Sequence, residues 1–287
     1  MADTHTFIAG TDESFDTAAN WDPAQVPADG DSLLFNHLAQ RNLSLNLDQS
    51  AKTFARVVRA PGFAYSVGAD GGPLKCTITE LMAAGRSRVF YHQGAITRAL
   101  VDLEGTSETA CVLEGAITLL AIRQGTVTIA GSDEQPAGAR WQLASTSGQQ
   151  VHDQAAKLVI GSSVDLTTNA TTIVQAGGTL DTEADLDELI RSGGTCLLEA
   201  SAGIALLDQL GGRLYWNSDG TITQAYVGGG DFNSAQYDLA KTLTNMTVYG
   251  YGLVDLSRAF NLTLTNPIRH FGRLPIKTPP GMAVSWS

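Results

Sequence analysis

The chain has 287 residues, enough for one elongated domain or two compact ones, and carries a net charge of −11 with a pI near 4.8. That balance argues against a nucleic-acid partner, which needs a basic face to displace phosphate counterions, and against an anionic membrane surface. No stretch approaches about 18 consecutive apolar residues, and the first 20 residues hold Asp3, Asp12, Glu13 and Asp16 without an apolar run, so neither a membrane span nor a signal peptide is expected.

Residues 1–36 read as a capping segment. Phe15 and Trp21 can cover an open end of a core, Pro23, Pro27 and Gly30 impose turns, and Ser32 to Phe35 is the first predicted buried strand. Residues 37–90 are less regular. Leu43, Leu45 and Leu47 alternate with Ser44 and Asn46 as in a strand, Thr53 to Ala60 fits a strand or a short helix, and Cys76 to Ile78 is another short strand. A repeat begins after residue 90: Gly94-Ala-Ile-Thr recurs as Gly115-Ala-Ile-Thr, 21 residues on, and Gly125-Thr-Val-Thr-Ile follows. Residues 132–157 are polar, break the pattern and read as a lateral loop; Trp141 within it is a natural contact for a partner.

The stretch from Leu158 to Phe232 is the most regular. Gly161, Gly177, Gly193, Gly211 and Gly229 follow one another at steps of 16, 16, 18 and 18 residues. Aligned on these glycines, one column reads Val164, Leu180, Cys196, Leu214, Phe232, and a second reads Leu158, Val174, Ile190, Asp208, Tyr226. A repeat this short cannot hold a helix pair, but it fits one coil of a solenoid built from two or three short strands. The expected fold is therefore all-β, a right-handed parallel β-helix over residues 37–272. A β-sandwich is the alternative, although it has no need of an apolar column kept in phase. Leu243-Thr-Asn returning as Leu264-Thr-Asn implies two further rungs, and residues 273–287, with three prolines and Trp286, read as an extended tail. A dozen rungs at about 4.8 Å would give a rod of roughly 50–60 Å.

Chemistry is sparse. There is no Walker loop, HExxH, GxSxG or CxxC pattern. The odd count and wide spacing of Cys76, Cys111 and Cys196 exclude a disulfide framework or a zinc motif. Asp181, Glu183, Asp185, Asp187 and Glu188 could offer oxygens to Ca²⁺, but their spacing suits no EF-hand, and a solvated acidic corner accounts for them. Asp165 and Asp181 fall one repeat apart, as paired glycosidase carboxylates would, yet no basic residue joins them. His5, His37, His92, His152 and His270 are scattered and read as surface or loop residues. Trp141 and Tyr215-Trp216 could stack on sugars or fill a corner. No catalytic, cofactor-binding or metal residue is assigned, and no cofactor is expected.

Two segments carry a resemblance. Asn20-Trp21, Pro23, Gly30-Asp31 and the short apolar strand after them resemble the N-terminal part of many β-helical surface and phage proteins. Residues 242–256 and 261–272 resemble β-helical structural proteins of tailed-phage virions, of the decoration or cement type. That resemblance implies a non-enzymatic protein bound to the outer shell of a virion, bridging the major capsid protein as a dimer or trimer. It reaches the outside within a particle rather than by secretion. The alternatives are a carbohydrate-active β-helix, such as a pectin-lyase-like enzyme or a tail-spike depolymerase, and an adhesin-like surface protein.

Overall fold

The computed structural model of the protein describes residues 2–86, 88–104, 111–131, 135–143, 156–161, 164, 166, 171–234, 239–273, 276–282 and 284–286, with the backbone alone for 156 and 284–286. It is a parallel β-solenoid of about 10 turns. Among the described residues 24 strands join one hydrogen-bonded set, and a single strand pair in it, Thr4–Phe7 with Trp21–Asp22, is antiparallel. Ten turns at about 4.8 Å give a body roughly 50 Å long.

The regular turns show how the sequence builds a coil. A short strand such as Thr179–Thr182 presents Leu180 and Thr182 inward and Thr179 and Asp181 outward. A corner follows, then a longer strand, Leu186–Arg191, that bends near Asp187 so that Leu186, Leu189 and Arg191 all point into the core. A glycine corner returns the chain to the next short strand. At Gly212 the backbone adopts φ +77°, and a Cβ there would lie 2.6 Å from the backbone of Gly193 in the coil beneath. The corner thus needs glycine both for its conformation and for its closeness to its neighbour.

Stacking these coils places like on like. On the short-strand side the inward ladder runs Phe90, Cys111, Val127, Leu158, Leu180, Cys196, Leu214, Phe232, Val254. Every one of these side chains is buried, and each large apolar one contributes roughly 1.5–3 kcal/mol. Four members of the first sequence column lie on this ladder. Val164 does not, although it is buried elsewhere; Leu158 takes the place expected of it. The second column lies elsewhere. Val174, Ile190, Asp208 and Tyr226 do form a ladder, but on the outward side of the long strands. The displacement of Val164 has a simple source: Gly161 follows its strand, Ala156–Ile160, whereas the later glycine pairs precede theirs.

The 21-residue repeats also correspond to stacked coils. Ile96 pairs with Ile117, and Leu243 with Leu264. The lateral loop is corrected in its centre. Arg140–Leu143 is a strand of the body, paired in parallel with both Ile117–Ala130 and Thr172–Gln175. Trp141 in it is fully buried and donates its indole N–H to Ile117 O at 3.1 Å. Residues 144–155 lie outside the described residues.

The ends differ. At the N-terminal end Trp21 packs edge-on against Phe7 and Phe15, at 5.2 and 5.1 Å between ring centres, and its indole donates to Phe15 O. The antiparallel strand Trp21–Asp22 lies along Thr4–Phe7 there. At the other end the tail returns to the body: Val284–Trp286 pairs in parallel with Ile268–His270.

The long-strand side carries a polar interruption of the core. Its inward ladder reads Leu143, Gln175, Arg191, Gln209, Val227. The Arg191 guanidinium donates to Gln175 Oε1 at 3.0 Å, to Gln209 Oε1 at 3.4 Å and to the carbonyls of Gly194 and Arg213. Both Gln side chains donate onward to carbonyls, of Gly178, Thr195 and Gly229. Arg59 repeats the device nearer the N-terminal end, donating to the carbonyls of Ala84 and Arg86.

Candidate functional site

The acidic, histidine and aromatic candidates do not converge on one place. Asp165 lies outside the described residues, and the ladder partner of Asp181 in the preceding coil is Val159. Asp181 is outward and 3.7 Å from Lys157 Nζ. Of the acidic run, Asp185 accepts the Gly203 N–H at the corner, at 2.7 Å, and Glu188 accepts the Thr172 hydroxyl on the long-strand side, at 2.7 Å. Strand alternation and the corner thus send these carboxylates in different directions, and among the described residues no three His, Cys, Asp or Glu side chains are placed to share a metal ion.

Three histidines expected on the surface are instead interior. His5 is buried 3.0 Å from Asp31, His270 is buried, and His92 stacks between Leu74 and Leu113 with Nε2 3.0 Å from Cys76 O. Burial pushes the pKa of His92 down to about 4. His37 is exposed, and His152 lies outside the described residues. The three thiols are free and buried, and burial pushes Cys76 and Cys111 up to about 12 and Cys196 to about 11, which keeps them from acting as thiolates at neutral pH. Trp141 and Trp216 are core residues; Tyr215 faces outward beneath the Arg213 guanidinium, 6.0 Å from its ring centre.

Two surface features emerge that residue type and spacing do not single out. The first is a groove of about 580 Å³ across the outward side of the last long strands. Gln224 stacks under Asn245, and Tyr226 under Thr247, which stacks under Arg269. Asn266 overhangs them, donating to Asn245 Oδ1 at 2.9 Å and to Thr244 O. Tyr226 is 39% exposed. The side chains of Gln224 and Arg269 make no hydrogen bond or ion pair among the described residues. The second feature is an apolar ridge at the corner where the long strands end. Tyr251 and Phe271 sit on adjoining coils there and Leu210 two coils below Tyr251, each amide donating to a carbonyl one coil below, and the three residues are 71%, 55% and 54% exposed. The only signal for either in the sequence is strand parity, and the glycine alignment does not say which side Tyr226 faces.

Comparison with known protein families, with curated proteins and with solved structures finds no match to this chain.

Proposed function

We propose that the chain is a structural protein of a virus particle, a decoration or cement protein seated on the outer shell and bridging subunits of the major capsid protein as a homo-oligomer. The observation that carries this reading is the apolar ridge of Leu210, Tyr251 and Phe271. Three large apolar side chains more than half exposed on one corner mark a contact surface more often than a solvated one. The ridge belongs to a body whose 24 described strands join one hydrogen-bonded set, so it can meet a partner without first being ordered. The net charge of −11 suits the outer face of a shell rather than the face that meets packaged nucleic acid.

Mass spectrometry of gradient-purified particles from the source culture tests the reading. The chain is expected in the particle band at a fixed ratio to the major capsid protein. Tyr251→Ser combined with Phe271→Ser is expected to lower that ratio several-fold while leaving the melting temperature unchanged. Recovery of the chain outside the particle fraction alone would overturn the assignment.

A further inference from the structure

The groove beside the ridge has a chemistry of its own. Its floor is the face of a sheet, so the backbone amides beneath it are already used in the ladders, and it can add no strand from a peptide. Its walls are chiefly side-chain amides, a phenol ring and a guanidinium, with Met246 and Pro267 as the apolar members, and offer no run of aliphatic pockets of the kind that anchor protein side chains. These groups recur coil by coil at about 4.8 Å, a step comparable to one pyranose ring. Gln224 and Asn245 offer planar amides to vicinal hydroxyls. Tyr226 presents a ring on which the apolar face of a sugar can lie. Arg269 is a cation that makes no ion pair among the described residues, at the far end of the same column, in a strongly acidic protein. Elsewhere on the outward face Arg56 pairs with Glu80 and Arg213 with Asp231.

We propose that this groove binds a linear acidic oligosaccharide, with successive sugar units aligned along successive coils, Tyr226 as the stacking platform and Arg269 as the partner of a uronate carboxylate. The assignment is independent of the particle role, because it concerns the isolated chain.

Isothermal titration of the purified protein with three defined probes tests it: a galacturonate hexamer, a hyaluronan hexasaccharide and the neutral cellohexaose. At least one acidic probe is expected to bind saturably, and the neutral one about tenfold more weakly or not at all. Arg269→Gln is expected to weaken the acidic probe about tenfold and to abolish the salt dependence of its binding. Tyr226→Ala is expected to remove binding altogether, with the thermal transition of both variants unchanged because the two side chains project from the surface. No saturable binding of either acidic probe, neutral binding as tight as acidic, or binding indifferent to Tyr226→Ala would each overturn the proposal.

Discussion

Arg191 is held in the core without a carboxylate. Its charge is spread over two amide oxygens and two carbonyls from neighbouring coils, and burial pulls its pKa below the ordinary arginine value. Removing it leaves Gln175, Gln209 and two carbonyls short of donors, and opens a cavity. Arg191→Ala is therefore expected to cost about 3–5 kcal/mol, whereas Arg191→Met, which fills the volume, is expected to cost clearly less; urea denaturation of both variants measures the difference. His92 makes a second residue-scale prediction. Its folded pKa of about 4 lies below the unfolded value of 6.5, so the unfolded chain takes up the proton first. Stability is full above about pH 6.5 and falls as the pH drops toward 4, by up to about 3 kcal/mol. His92→Leu, matching its ladder neighbours Leu74 and Leu113, should flatten that part of the profile; an unchanged slope between pH 7 and pH 4.5 would count against His92 as its source.

At the scale of the element, the strand Arg140–Leu143 is the instructive case. Trp141 fills the core and its indole bonds to the coil before it, so Trp141→Ala is expected to destabilise the fold by about 3–5 kcal/mol, read as a lowered denaturation midpoint, rather than to alter a surface contact. Its polar flanks hide the strand in the sequence, since four residues give too few alternations to stand out. Where coils are regular, glycine spacing alone makes the ladder of Leu180, Cys196, Leu214 and Phe232 legible. Glycines mark corners, however, and do not tell which side of a strand a residue faces. One glycine on the other side of its strand is enough to put Val164 in the column where Leu158 belongs. Leu45 shows a related limit. It alternates with Leu43 and Leu47, yet the segment is not a regular strand: Asn46 takes φ +56° and Leu45 is 54% exposed while Leu43 and Leu47 are buried. The groove is illegible in the sequence because Gln, Asn and Arg on an outward ladder look like any polar surface until the register brings them together.

The whole molecule is a stack in which each coil is stabilised chiefly by the one above and the one below. Its N-terminal end is sealed by Trp21, Phe7 and Phe15 and by the antiparallel strand over the first edge. Deleting residues 1–31 would uncover Ser32–Phe35 with its free hydrogen-bonding edge, together with the rings of Phe35 and Phe54. The truncated protein is expected to elute as large assemblies in size-exclusion chromatography where the intact one gives a discrete peak. A discrete peak from the truncated chain would mean that the aromatic cluster is dispensable for closing the rod.

That sealed end has a bearing on biosynthesis. It leaves the ribosome before the coils it covers, and ladder partners along the regular body lie only 16 to 22 residues apart. Translation can therefore lay each newly emerged coil on a finished template, so that maturation proceeds in one direction and a half-made chain presents a single growing edge rather than two.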